Sequence, residues 1–401
     1  MATPALSAIK PGRIAGIPQG LTLVAMPWVS VLASGALIGP VLPRMTEYFR
    51  AHAHVDVMIA LVATMPALFV ALLSVPFGML ADRTGPRRLL FWACMFYGGV
   101  GMLPYWLQSL SSIVISRALV GVAEAAVMTC GVALIGDYFN GVARDRWYAL
   151  QTAGSPFAAL AASVLGGALG LASWHGPFLV YSFGFVLFIL VATLLWEPRR
   201  GEAESRDLRT KSAMNWPRLL RISATTVFAM SAFLVTVIQF GFLLTERGIS
   251  SPQTIGMWQG LASLASPLGA LAFGALGARH IEKAAMSFTL MAAGFAVIAC
   301  TLSWQGALAG TLLANFGSGM ILPTLVTWAV SDLPSAVRGR GVGVWVSAAF
   351  LGQFVSPLAI VGLKDLTGSL SHAILCYAVA TTTAAAGATF GSRRAARALL
   401  T

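Results

Sequence analysis

Glu124 is the acidic residue best placed for chemistry, because it lies near the middle of an apolar run while the other acidic residues fall at the ends of such runs or between them. A carboxylate in apolar surroundings is costly unless it is protonated, paired or in contact with water. A glutamate that releases its proton only when its surroundings are hydrated would suit a proton carrier. The alternative is a protonated glutamate that hydrogen-bonds to a neighbouring helix and serves packing.

Arg117 precedes Glu124 by seven residues in the same run. Seven residues of α-helix return to nearly the same face, about 10.5 Å along the axis. We therefore expect no tight pair, and each side chain needs another partner or a shared water-filled cavity. Gly121, one helical turn after Arg117, is expected to leave room beside the long side chain. The alternative for Arg117 is to extend toward the membrane surface and anchor its helix.

A second group of charged residues lies in the segment 78–88, between two long apolar runs. One acid, three arginines and two glycines in eleven residues predict a tight, charged turn between two helices. Gly78 would let neighbouring helices approach closely, and Gly85 could adopt the positive φ that ends or turns a helix. Asp82 would suit the positive end of a helix dipole.

The composition requires an integral membrane protein. The 401 residues are 57% hydrophobic and only 10% charged, whereas a soluble domain carries roughly 25% charged residues. Although the formal net charge is +12, the basic residues lie in short segments between apolar runs, which indicates a role in topology and not in nucleic-acid binding. The four cysteines lie in apolar stretches without CxxC spacing and are expected to be reduced.

Twelve apolar segments are long enough to cross a membrane, since about 20 residues span a hydrocarbon core of about 30 Å. The predicted spans are 19–43, 57–80, 89–108, 112–136, 149–171, 176–196, 221–245, 254–277, 285–303, 307–330, 341–362 and 370–391. An even number places both termini on one side. Most of the 26 Lys and Arg residues fall on that side, which predicts that both termini are cytoplasmic and that the protein lies in the inner membrane.

Two sequence patterns resemble those of the major facilitator superfamily of secondary transporters. Residues 78–88 resemble its loop between the second and third helices. Their pattern is a glycine, three residues, Asp-Arg, one residue, a glycine, one residue and a basic pair. Residues 117–126, with an arginine four residues before a glycine, resemble its fourth-helix motif. The resemblance implies an all-α integral membrane protein whose twelve transmembrane helices form two six-helix pseudo-repeat bundles that move about a central cavity.

The same resemblance implies roles for individual residues. Arg117 would take part in proton coupling, together with Glu124. The loop would act as a conformational latch on the cytoplasmic side, without touching substrate. The latch residues are Gly78, Asp82, Arg83, Gly85, Arg87 and Arg88.

The chain also divides into two related halves, as this superfamily generally does. We predict an N-terminal bundle over 1–196, a basic cytoplasmic linker over 197–220 and a C-terminal bundle over 221–401. Phe77-Gly78 recurs as Phe273-Gly274, and Asp137 has a counterpart in Asp332. Two repeated halves predict a pseudo-twofold axis along the membrane normal, with a binding site between them near the midplane.

Uncharged polar and aromatic residues inside the predicted spans are candidates for the substrate cavity. They are Trp28, Gln239, Gln259, Asn315, Trp345 and Gln353. Each could equally serve packing or hydrogen bonding between helices. The fifth span carries Gly166-Gly167, but Ala162-Ser163 stands where drug and metabolite antiporters of the superfamily have Gly-Pro, so this segment favours export only weakly.

Several motifs are absent from the sequence: there is no phosphate-binding GxxxxGK[ST] loop, no HExxH and no GxSxG. We therefore expect neither an enzyme nor a bound cofactor or metal. The expected function is proton-coupled export of a small organic compound, such as a drug-like molecule, a secreted metabolite or a siderophore, by a monomer in the lipid bilayer. The alternatives are proton-coupled uptake of an organic anion, with Arg117 as its counter-ion, and a membrane sensor that transports nothing.

Overall fold

The structure, a computed structural model, describes residues 15–198, 216–275, 280–330 and 335–397. Every regular element in these ranges is a helix. Most of the predicted linker 197–220 and the predicted repeat residue Asp332 lie outside the described residues.

The helices follow the twelve predicted segments, and we number them span 1 to span 12. Span 1 consists of Ile17–Val24, Trp28–Ala33, Gly35–Ile38, the 3-10 turn Gly39–Val41 and Leu42–Tyr48; span 2 is Val55–Thr84; span 3 is Pro86–Met102 with the turn Leu103–Tyr105; span 4 is Leu110–Tyr138; span 5 is Gly141–Leu169; span 6 is Gly176–Ser182 with Phe183–Leu194. Span 7 is Trp216–Glu246; span 8 is Pro252–Ser263 with Ala265–Ala275; span 9 is His280–Cys300; span 10 is Trp304–Val330; span 11 is Ser335–Thr367; span 12 is Leu370–Arg397.

Nine of the described helices are long and apolar enough to cross a membrane, and ten segments qualify when the two parts of span 1, which meet at 53°, are joined. Span 3 falls short because its helix has 17 residues. Span 8 falls short because it is divided at Leu264. Both lie in the bundle as the sequence predicts, and the twelve-helix fold class is confirmed.

Span 1 is broken near its middle, and two residue types explain where. Pro27 has no backbone N–H to continue a helical ladder. Ser34 has extended backbone dihedrals, and its hydroxyl oxygen accepts a hydrogen bond from the Ala36 N–H at 3.4 Å, which starts the next helix. The break leaves backbone carbonyls at the end of Trp28–Ala33 that need donors from elsewhere.

Two opposite faces of the bundle can be defined from contacts between turns. On the terminal face, where the described chain begins, Gln19 donates to the Leu194 carbonyl at 3.2 Å. On the opposite face, which we call the distal face, Arg44 donates to the Gly170 carbonyl at 2.6 Å, and the Tyr48 hydroxyl donates to Gln108 at 3.1 Å. The assignment of the terminal face to the cytoplasm remains a prediction.

The buried apolar residues form two main clusters, one in spans 1–6 and one in spans 7–12; Leu234 and Ile238 of span 7 join the first. Contacts between the halves join span 2 to span 11 and span 5 to span 8. If spans 1–6 repeat as 7–12, these two contacts are equivalent, so the packing follows the pseudo-twofold relation. Spans 5 and 8 approach so closely that a Cβ on Gly256 would lie 2.3 Å from the Ser163 carbonyl oxygen.

Candidate functional site

Glu124 lines a narrow cavity between the two halves. The cavity is lined by spans 1, 2 and 4 from the first half and by spans 7 and 11 from the second. Its polar lining residues are Ser30, Ser34, Thr64, Glu124 and Gln353. Its apolar lining residues are Ala33, Ala63, Pro66, Ala67, Leu234 and Phe350. The carboxyl group therefore lies where both halves can act on it.

The Glu124 carboxyl group is buried, with Ser30 among the residues that line the cavity beside it. Glu124 is 2% exposed. Its Oε2 atom is buried and has no hydrogen-bond partner among the described residues. A carboxylate in this position must be neutralised by a proton or a cation, or hydrated by water that enters the cavity.

Arg117 does not pair with Glu124: no ion pair joins them in the described part of the chain, as the helical spacing predicts. Arg117 is fully buried, and its Nε donates to the Val62 carbonyl at 2.9 Å. Its Nη2 donates to the Ala33 carbonyl at 2.5 Å, and its Nη1 donates to the Tyr181 hydroxyl. The guanidinium group thus joins spans 1, 2 and 6 to span 4.

Two carbonyls that the break in span 1 leaves open, those of Leu32 and Ala33, accept hydrogen bonds from Tyr181 and Arg117. The Tyr181 hydroxyl accepts from Arg117 and donates to the Leu32 carbonyl at 2.8 Å. The Tyr97 hydroxyl donates to the Val29 carbonyl at 2.7 Å. A positive charge at the carbonyl end of a helix is electrostatically favourable. Arg117 therefore stabilises the helix Trp28–Ala33. Ser34, the residue that follows this helix, lines the cavity.

Gly121 has a different role from the one expected. The sequence suggested room for the Arg117 side chain, but a Cβ at Gly121 would lie 2.5 Å from the Pro66 carbonyl oxygen and 2.6 Å from the Pro66 Cα. Gly121 is required because spans 2 and 4 cross with their backbones nearly in contact.

Of the six cavity candidates, Gln353 lines the cavity beside Glu124. Gln259 crosses the junction between the halves and donates to the Gly35 carbonyl at 3.1 Å. Asn315 donates to the Ala262 carbonyl at 2.9 Å, where span 8 is interrupted, and accepts from Thr236 at 2.6 Å.

The remaining three candidates lie in helix packing. Trp28 stacks on Phe183 with ring centroids 6.1 Å apart. Trp345 packs against the buried cluster of the second half, and Gln239 is buried in span 7. None of these three lies in the described cavity lining.

The loop 78–88 forms a tight turn between spans 2 and 3. Gly85 has φ +92°, as its expected role requires. Gly78 is not closely packed here, because a Cβ would lie 3.7 Å from the nearest atom, in Thr129. Asp82 lies in the last turn of span 2, at the negative end of the dipole of that helix. The expected interaction of Asp82 with the positive end of a helix dipole would therefore require another helix.

The basic pair of this loop is held by the end of span 6. The Glu197 carboxylate accepts hydrogen bonds from the backbone N–H groups of Arg87 at 3.4 Å and Arg88 at 3.2 Å, at the start of span 3. The Arg87 side chain donates to the Leu195 carbonyl at 2.9 Å and the Ala192 carbonyl at 3.1 Å. The side chains of Arg83 and Arg88 are exposed.

Sequence reasoning missed the polar residues of spans 1 and 2 that surround Glu124, namely Ser30, Ser34 and Thr64. A signal was present, because Pro27 and the Ser34-Gly35 pair are residues that interrupt a helix, and an interrupted helix exposes polar groups. The partners of Arg117 carried no such signal, since two of the three are backbone carbonyls.

Comparison with known proteins identifies the family. Residues 28–357 match the model of the Major Facilitator Superfamily. The probable nitrate transporter NarT of Staphylococcus epidermidis is 24% identical over 390 residues, which cover 91% of this chain and 93% of that protein. The class C tetracycline resistance protein of Escherichia coli is 27% identical over 357 residues, covering 83% and 86%.

Solved structures agree on the fold. A bacterial homologue of the human lysosomal transporter Spinster, in an inward-facing and unoccupied conformation, superposes with a TM-score of 0.75 at 16% identity, covering 94% of this chain and 96% of that one. The family match, the twelve spans and the cavity between the halves lead to one conclusion: this chain belongs to the Major Facilitator Superfamily of transporters.

Proposed function

We propose that this transporter exports a small organic compound in exchange for protons, and that Glu124 is the site where the proton is exchanged. The observation that carries the proposal is the position of the Glu124 carboxyl group, which lies in the cavity between the halves with its Oε2 atom unpartnered among the described residues. A carboxylate there requires neutralisation whenever the cavity closes around it.

Alternating access then couples the proton to the substrate. When the cavity is hydrated, the carboxyl group can lose its proton and act on a ligand, and when the ligand leaves, a proton must return before the site closes again. The halves, 1–196 and 221–401, would move as two bundles about the cavity. We place both termini in the cytoplasm and the monomer in the inner membrane.

The alternative, uptake of an anion, is favoured by the relative that is a probable nitrate transporter. It requires a basic group at the site. The described lining of the cavity contains no basic residue, and the Arg117 guanidinium group already donates to two carbonyls and a hydroxyl. This arrangement disfavours an anionic substrate, and export is supported by the similarity to a tetracycline resistance protein. The third possibility is a membrane sensor that transports nothing, and such a protein would need no proton-exchanging group.

Transport by inverted membrane vesicles tests the proposal. An imposed gradient, acidic inside, should drive accumulation of an exported compound in wild-type vesicles, and Glu124→Gln should abolish the response to the gradient. Glu47→Gln is the matched control, since Glu47 is exposed on the distal face in a pair with Arg50 at 2.7 Å. Gradient-driven loss of compound from the vesicles would support uptake. If no compound shows gradient-driven flux, the membrane sensor would be favoured.

The loop 78–88 is proposed to act as a latch that is remade in each transport cycle. Asp82→Asn should lower the transport rate while leaving the thermal unfolding temperature of the purified protein unchanged, because Asp82 lies at the exposed end of span 2. Thr84→Val in the same turn is the control. A normal transport rate in Asp82→Asn would contradict the latch.

A further inference from the structure

We infer that the chemical group of the substrate that this cavity recognises is a positively charged nitrogen, bound at Glu124 in place of the proton. This inference rests on the proposed function and adds the substrate class, a small organic cation. Three properties of the cavity support it: the charge that it can carry, the direction of its hydrogen bonds and its aromatic side chain.

The only charge that the described lining can carry is negative. Glu124 is its only ionisable residue. The titratable groups around Glu124 are Arg117, Tyr97 and Tyr181. The hydrogen bonds that these three side chains donate go to backbone carbonyls or, from Arg117, to the Tyr181 hydroxyl. An anion would therefore meet an uncompensated carboxyl group, whereas a cation would neutralise it.

Two of the three hydroxyl groups in the described lining present acceptors to the cavity. The Ser34 hydroxyl donates its hydrogen to the Val31 carbonyl at 2.7 Å, and the Thr64 hydroxyl donates to the Ala60 carbonyl at 2.9 Å. A hydroxyl has one hydrogen and two lone pairs, so these two groups have only lone pairs left for a ligand. An N–H group or a polarised N–CH group complements these two hydroxyl groups, whereas a carboxylate or nitrate oxygen would have to use the Ser30 hydroxyl or the Gln353 amide group.

The apolar part of the lining suits an alkylated nitrogen. Phe350 of span 11 contributes an aromatic ring, and Leu234 and Ala67 contribute aliphatic surface. The face of an aromatic ring attracts cations.

Binding of matched pairs of small molecules to the detergent-purified, full-length protein tests the inference. Choline and 3,3-dimethylbutan-1-ol have the same shape and differ in the charge of the central atom; methylammonium and tetramethylammonium extend the cations, and nitrate and acetate supply anions. Thermal shift would report binding between pH 5 and pH 9, and a pH-indicator dye would report released protons.

At least one cation should bind at least tenfold more tightly than its neutral counterpart, with the apparent affinity falling about tenfold per pH unit at acidic pH as protons compete for Glu124. Glu124→Gln should abolish the preference for the cation. Phe350→Leu, a second variant that keeps the carboxyl group, should weaken cation binding by a factor of about 2 to 30 and leave the neutral compound unaffected.

The possible failures are distinguishable. If the neutral or anionic compounds bind and release protons while no cation does so, the proton exchange stands and the cation assignment is wrong. If a cation binds by way of Glu124 at every pH without releasing a proton, the cation assignment stands and the proposed proton coupling is wrong. If no cation of the set binds, the inference is overturned.

Discussion

Glu124 and Arg117 lie on nearly the same face of span 4, yet the cavity reaches only one of them. The Glu124 side chain lies between the halves, and Arg117 is fully buried among spans 1, 2 and 6 of the first half. The position of Glu124 in an apolar run predicted its importance. The role of Arg117 as a cap on a broken helix could not be predicted, because its carbonyl partners depend on where the chain crosses and not on residue type.

Removal of the Tyr181 hydroxyl should test the capping role of Arg117. Tyr181→Phe takes a partner from a buried guanidinium group and a donor from the Leu32 carbonyl, and should lower the free energy of unfolding by about 2 kcal/mol. Tyr97→Phe is the matched control, because it removes a single neutral hydrogen bond to the Val29 carbonyl, at a cost of about 1 kcal/mol. Denaturant titration in detergent would measure both, and equal losses would contradict the cap.

The sequence predicts the transmembrane helices better than it predicts how they are interrupted and how closely they pack. The lengths and order of the spans follow from apolar segments, and all twelve are predicted by sequence. The interruption at Ser34 is signalled by Pro27 and Ser34-Gly35, whereas no break at Leu264 is predicted, because an apolar run of suitable length looks the same whether its helix is continuous or broken. Nor does the sequence distinguish Gly121, at a crossing of backbones, from Gly78, which has ordinary contacts.

Substitution of alanine for two glycines should have effects of opposite sign. Gly121→Ala would place a Cβ 2.5 Å from the Pro66 carbonyl oxygen, and should destabilise the protein by about 1 to 3 kcal/mol. Gly99→Ala in span 3 meets no atom within 4 Å, and should stabilise its helix by up to about 1 kcal/mol. Thermal unfolding of the two variants in one detergent would compare them, and a harmless Gly121→Ala would show that the crossing can widen.

The whole molecule is held together near the distal face by contacts between the halves. Gln259 donates to the Gly35 carbonyl, and Gly256 packs on the Ser163 carbonyl. At the outer edge of this face, the Lys364 ammonium group lies 3.7 Å from the Asp56 carboxylate, and both side chains are a little more than two-fifths exposed. The first residue belongs to span 11 and the second to span 2, so the pair forms only while this face is closed.

Loss of the Asp56–Lys364 pair should shift the molecule toward a conformation that is open at the distal face. Exposed pairs contribute about 0.2 to 1 kcal/mol, so Asp56→Asn should change the population ratio by a factor of up to about five. Spin labels at Ser109→Cys and Gln305→Cys, in a background without the four native cysteines, would report the separation across this face. The exchange Asp56→Lys with Lys364→Asp should restore the wild-type distribution, and high salt should reduce the difference. An unchanged distribution in Asp56→Asn would show that the other contacts suffice.

Proton release on ligand binding tests the central claim, that Glu124 exchanges a proton for substrate, most directly. Candidate compounds would be added to the detergent-purified protein in weakly buffered solution, comparing wild type, Glu124→Gln and the control Glu47→Gln. We predict about one proton per bound molecule from wild type and the control, and none from Glu124→Gln. If wild type and Glu124→Gln bind the same compound and release the same number of protons, including none, then Glu124 serves packing and the exchange site lies elsewhere.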